Sequence, residues 1–120
     1  MKLGFVVQRY GADIAGGSEG HCRELAERLC ARHAVTVLTT CATDYVTWEN
    51  ALPAGHSVEN GVEILRFPVA HPRRVQVFAD ISEEVFDNPS PDERQVEWFR
   101  ENGPTTPELL DHLRAHGHEF

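Results

Sequence analysis

The chain has 120 residues, about the length of one domain, and its 41% hydrophobic and 25% charged residues suit a folded globular body rather than a disordered one. A formal net charge of -8, with the Arg residues scattered along the chain, argues against nucleic acid as a partner. The longest apolar run, "LGFVV", is too short for a membrane span and lacks the make-up of a secretory signal, so neither is expected.

Leu3 to Gln8 is a short apolar run with β-branched residues and no clean alternation, the pattern of a strand covered on both faces. The loop Arg9 to Gly17 follows, and Ser18 is the expected N-cap of a helix. Cys22, Leu25, Ala26, Leu29 and Cys30 recur at the spacing of one apolar helical face, with Glu24 and Arg28 paired on the other. Ala34 to Thr40 is a second β-branched run, which makes a right-handed β-α-β unit the economical topology. An irregular stretch should then lead to a hairpin at Asn60-Gly61, with Val62 to Phe67 as a third strand preceded by a short partner.

Three helices are expected after the hairpin. The first carries Val75, Phe78, Ala79, Ser82, Val85 and Phe86 at helical spacing and stops at Asn88-Pro89. The second opens with Ser90 as N-cap, Pro91 at N1 and Glu93 in a capping box, and ends at Gly103-Pro104. The third starts at Thr106-Pro107, ends near Gly117 and presents Leu109, Leu110 and Leu113. Together these elements predict an α/β fold, Rossmann-like and three-layered, with a mainly parallel sheet. In a doubly wound sheet a further strand would lie beside the first, so the domain is expected to be incomplete, with an exposed apolar strand edge open to self-association.

Cys22 and Cys30 stand ~12 Å apart along one helix, beyond disulfide reach, and three cysteines without pairing geometry fit a reducing, cytoplasmic setting. Gly11, Gly16, Gly17 and Gly20 do not have dinucleotide-fingerprint spacing, the second strand ends in Thr39-Thr40-Cys41 without an acidic residue, and no Lys-Ser/Thr follows the glycines as in a Walker A loop. What remains is a loop in which Gly16 and Gly17 bring bare backbone to a ligand while Ser18 and Glu19 open the helix, a place suited to an anion. The same glycines suffice for a tight turn before a capped helix, and the motif alone leaves both readings open. Ligands of open α/β sheets bind at the carboxyl ends of the strands, which singles out Arg9 and Tyr10 after the first strand and Thr43, Asp44, Tyr45 and Trp48 after the second. Tyr45 and Trp48 suit a sugar or polyol face, and equally suit packing of the irregular segment onto the sheet. His112, His116 and His118 lack a completing ligand, so no metal site is assigned.

The opening "MKLGFVVQRYGADIAGGSEGHCRELAERLCARHAVTVLTT", followed by "ATDYVTWENALPAG", "ENGVEILRFPV" and "NGPTTPELLDHL", resembles the amino terminus of bacterial retaining glycosyltransferases of family 4 along nearly the whole chain. The resemblance implies the amino-terminal, acceptor-side half of a GT-B fold, with a carboxy-terminal nucleotide-sugar domain absent from these 120 residues. It implies that Gly16 and Gly17 lie near the donor diphosphate, that transfer needs no bound metal or other cofactor, and that the partners are a nucleotide sugar and a sugar or polyol acceptor. No residue of this stretch is expected to be catalytic, and the chain alone is expected to be inactive. The alternative is a stand-alone small α/β binding or interaction module without catalysis.

Overall fold

The computed structural model describes residues 1–87, 89 and 91–120. Strand β1 (Lys2–Val6), helix α1 (Gly17–Leu29) and strand β2 (Ala34–Thr40) form a β-α-β unit whose strands run parallel, with Lys2 opposite Ala34 and Val6 opposite Leu38. Strand β4 (Val62–Phe67) pairs parallel with the other side of β2, and β3 (Gly55–Glu59) pairs antiparallel with β4, giving the order β1-β2-β4-β3. The sheet is therefore mixed, because the Asn60-Gly61 hairpin adds an antiparallel outer strand. Asn60 and Gly61 have φ of 49° and 83°, both positive, as the tightest hairpin turn with a twist matched to its strands requires.

Residues along β2 alternate between two covered faces, which is why its sequence reads as a nearly continuous apolar and Thr run. On one face, Val35 and Val37 join Val62, Ile64, Tyr10 and Ala26 of α1 in a buried cluster that Leu3, Phe5 and Val7 extend. On the other lie Leu38 and Phe67, covered by α4 (Pro107–His116), whose Leu109 is buried and whose His112 ring sits 5.2 Å from Phe67. A 3-10 turn, Gly117–Glu119, carries the chain back to β1, where the Phe120 ring lies over Gly4 so closely that a Cβ there would come within 2.9 Å of it.

Helices α2 (Val75–Asp87) and α3 (Asp92–Asn102) pack on each other through Trp98, whose ring lies 5.7 Å from Phe78 and 5.5 Å from Phe86 and whose Nε1 donates to Ser82 Oγ at 2.8 Å. The expected stop at Asn88 and N-cap at Ser90 lie outside the described residues, and α3 opens with Pro91 as its N-cap. Among the described residues, no helix is long and apolar enough to cross a membrane.

Several expected boundaries and faces shift. Strand β1 ends at Val6 rather than Gln8, and α1 begins at Gly17 with Gly16 as its N-cap, so Ser18 stands inside the first turn and caps nothing. Leu25, Phe86 and Leu110, expected on buried faces, are 38%, 72% and 51% exposed. The three cysteines are free thiols; burial pushes the Cys22 and Cys41 thiols up from their ordinary value, which keeps them protonated and unreactive.

Candidate functional site

The loops that leave β1 and β2 at their carboxyl ends meet in a cleft of about 410 Å³. Its floor is built by Arg9 and Glu19. Arg9 Nε and Nη2 donate to Glu19 Oε1 at 3.0 and 2.7 Å, Nη1 donates to the Thr43 carbonyl at 3.0 Å, and Ser18 Oγ donates to Glu19 Oε2 at 2.8 Å. Both side chains of the ion pair are buried, so the pair couples the β1 loop, the first turn of α1 and the β2 loop through charge-assisted hydrogen bonds. Burial works to raise the Glu19 carboxyl, but hydrogen bonds from Ser18, Arg9 and its own backbone N–H outweigh it and hold the group below its ordinary value.

This pair accounts for one of the two adjacent glycines. A Cβ on Gly16 would lie 2.4 Å from Glu19 Oε2 and 3.2 Å from Arg9 Nη2, whereas a Cβ on Gly17 would meet nothing within 4 Å. Gly16 is thus bare because a carboxylate occupies the space above it, while Gly17 opens outward. Gly16 has φ of -173°, extended backbone available to any residue, so the constraint there is space and not conformation. The first intrahelical bond runs from Gly20 N–H to the Gly16 carbonyl, and no side chain caps the helix. Among the described residues, the Gly17 and Ser18 N–H groups find no acceptor and remain available at the positive end of α1.

Asp44 shapes the second wall. Its Oδ1 accepts the Val46 N–H at 2.8 Å and its Oδ2 accepts the Thr47 hydroxyl at 3.2 Å, while its carbonyl accepts the Trp48 N–H at 3.0 Å, which closes a tight turn. That turn leaves Trp48 at φ 54°, a left-handed conformation that a bulky side chain adopts at a cost of order 1 kcal/mol. Trp48 is buried against Ala42 and Val69, its Nε1 donating to the Asn102 carbonyl at 2.8 Å. Tyr45 instead projects into the cleft, 60% exposed, with the Arg9 guanidinium 5.2 Å from its ring centroid.

Of the residues singled out by sequence, Arg9, Gly16, Glu19, Tyr45 and Trp48 line this one cleft. Ser18 lines instead a neighbouring apolar groove of about 580 Å³ between Val6 and α4, and Gly17 stands open beside them. Thr43 faces a separate hollow on the far side of the β1 loop, next to Asp13 and Arg66, and contributes only its carbonyl to Arg9. Asp44 spends both carboxylate oxygens on its own turn. Tyr10 lies in the core beside Val37, 1% exposed, because the loop turns inward where Arg66 Nη1 donates to its carbonyl at 2.8 Å. Burial raises the Tyr10 phenol to about 12, and its hydroxyl is without a partner among the described residues.

Arg73 and Asn102 complete the cleft, although no motif in the sequence places them there. Arg73 Nε and Nη2 donate to the Asn102 carbonyl at 3.0 and 2.6 Å, its guanidinium lies 5.4 Å from the Trp48 ring and 4.8 Å from Phe78, and its N–H bonds the Thr47 carbonyl at 2.6 Å. The only available signal was Arg73-Arg74, the one basic doublet in the chain. Among the described residues, no group of three metal-ligating side chains comes together. His112 and His116 stack at 4.7 Å, and His116 Nδ1 lies 2.8 Å from Glu119.

Against known proteins, the chain matches no family model, no curated sequence and no solved structure. The class defined by the fold is therefore α/β with a mixed four-stranded sheet and a polar cleft at the strand ends.

Proposed function

We propose that the chain is the acceptor-side domain of a retaining glycosyltransferase that moves a sugar from a nucleotide sugar to a sugar or polyol acceptor. In this reading the fold is the Rossmann-like amino-terminal half of a GT-B enzyme and acts in the cytoplasm. One observation carries it: a cleft at the carboxyl ends of two parallel strands, where ligands of open α/β sheets bind, sets an exposed Tyr45 beside Gly16 at the start of α1, next to Gly17 and Ser18, whose N–H groups have no acceptor among the described residues. Tyr45 offers a face to a sugar ring. The Gly17 and Ser18 amides stand where preorganised donors stabilise charge developing on a leaving diphosphate, and Glu19, neutralised by Arg9, fixes the loop that presents them. The anion site in this reading is Gly17 and Ser18; Gly16 makes room for Glu19 rather than for phosphate.

The decisive measurement is sugar transfer by a polypeptide carrying both this domain and the donor-binding one. Gly17→Val should lower transfer at least ~100-fold, the scale of losing a preorganised donor contact, with thermal stability little changed because a Cβ there has open space around it. Unchanged turnover rejects the role. On the chain alone, a nucleoside diphosphate should shift the Gly17 and Ser18 amide resonances.

A second reading, a binding module without catalysis, is favoured by the open edge of β1. Alternation along the strand turns the backbone groups of Lys2, Gly4 and Val6 away from β2, with Val6 59% exposed and the apolar groove alongside. An absence of diphosphate-dependent shifts together with self-association through this edge would support it.

A further inference from the structure

Arg9 and Arg73 face the same cleft with different charge balance. Arg9 is neutralised: each of its three guanidinium nitrogens has a partner, and Glu19 matches its charge. Arg73 has no carboxylate partner among the described residues. Its Nε and Nη2 are taken by the Asn102 carbonyl and Oδ1, and its Nη1 has no acceptor among the described residues. Asn102 ends α3, so the partial negative charge of a helix carboxyl terminus offsets about half of the guanidinium charge and leaves the remainder facing the cleft. Asp44, whose charge acts on Arg73, has both carboxylate oxygens engaged in its own turn. Partial burial lowers the Arg73 pKa from its ordinary value and outweighs the opposing pull of the Asp44 charge.

The geometry also holds this cation rigidly. The guanidinium carbon lies over the Trp48 and Phe78 rings, and Asn102 fixes its orientation through two nitrogens, so little side-chain entropy remains to be lost when a ligand arrives. In a chain of net charge -8, a fixed cation left partly uncompensated in a cleft is a local reversal of sign. The exposed Tyr45 ring lines the same space and supplies an apolar face beside it.

We infer that the ligand of this cleft is an anionic sugar or polyol, its phosphate or carboxylate received by Arg73 Nη1 and its ring lying against Tyr45. The inference rests on the acceptor reading of the cleft and narrows it, making the acceptor a charged carbohydrate rather than a neutral one. Arg73 is then a specificity-determining residue, because a neutral acceptor leaves its Nη1 and the residual charge unanswered.

The test needs neither the donor nor transfer, so it can fail or succeed independently of the glycosyltransferase reading. Glucose 6-phosphate, glucuronate and glucose are titrated into the purified chain while the Trp48 indole and Arg73 Nε resonances are followed. The expected result is binding of glucose 6-phosphate, glucuronate or both at least about tenfold tighter than glucose, with the preference declining as salt is raised. The two anionic arms tell a phosphate site from a carboxylate site. Arg73→Gln should abolish the preference. Because Arg73 also ties α3 to the body, Tyr45→Ala at an exposed position serves as a second variant, expected to weaken all bound ligands while keeping the anionic preference. Equal affinity for the charged and neutral sugars, no binding by either anionic sugar, or a preference that survives Arg73→Gln in the folded protein overturns the inference.

Discussion

Replacing Gly16 with Ala probes the coupling between the glycine loop and the buried ion pair more directly than removing either charge. The backbone at Gly16 is extended, so Ala pays no conformational penalty, and what opposes it is chiefly the 2.4 Å approach to Glu19 Oε2, with the 3.2 Å approach to Arg9 Nη2 beside it. That oxygen ends a flexible side chain, but the side chain is buried and bonded to Ser18 and Arg9, so moving it weakens charge-assisted hydrogen bonds that water cannot replace. Overpacking of this kind costs ~1–3 kcal/mol. For a domain of this size that corresponds to a fall in Tm of roughly 4–12 °C. Gly17→Ala, one residue on, meets nothing and should leave stability within ~0.5 kcal/mol of the parent or raise it slightly. The assay is urea denaturation of both variants, repeated in a Glu19→Ala background with a stabilising osmolyte to keep every protein folded. There the Gly16→Ala cost should shrink to below ~0.5 kcal/mol, since the obstructing oxygen is gone and Arg9 Nη2, no longer tied to Glu19, is free to give way. Equal stabilities for Gly16→Ala and the parent, or an undiminished cost in the Glu19→Ala background, would refute the reasoning.

Three further outcomes are expected. The folded Glu19 carboxyl lies below its ordinary 4.5, so its contribution is complete above that pH and disappears as pH falls through the folded value; Glu19→Gln, which strands a buried Arg9, should cost ~3–5 kcal/mol at neutral pH and converge on the parent in acid, as followed by denaturation across pH. Tyr10 is raised from 10.0 to about 12, so protonation of its phenol supports the fold below 10.0 and that support is lost as pH climbs through about 12; Tyr10→Phe, which removes a hydroxyl without a partner, should be neutral or stabilising by up to ~1 kcal/mol and should flatten the alkaline fall in stability. The isolated chain should self-associate through the β1 edge with concentration, and Val6→Lys should suppress this; a monomer at every concentration in sedimentation would count against the edge as an interaction surface.

The elements themselves were legible because each is signalled locally. The β-branched run Ala34–Thr40, the Asn60-Gly61 turn and the Thr106-Pro107 helix start each act within a few residues, and the chain folds at them as those residues dictate. The carboxyl-end rule likewise located Arg9, Tyr45 and Trp48 at one cleft, because the topology of parallel strands places their loops on one side. Tyr10 and Thr43 follow the same rule in position and leave it in direction: a loop residue's side chain turns according to what its neighbours bond, here Arg66 and Arg9, which lie far away in sequence.

What the sequence determined by itself is thus the set of strands and helices, fixed by periodicity and turn chemistry over short range. The tertiary structure alone decided which of two adjacent glycines faces solvent, since that depends on where a carboxylate held by Arg9 comes to rest. It also decided that Arg73 joins the cleft, because the residues that orient it, Trp48 and Asn102, are 25 and 29 positions away along the chain and meet it only when α3 docks. Local propensity carries no information about such encounters; they are settled by packing and by the need of every buried polar group for a partner.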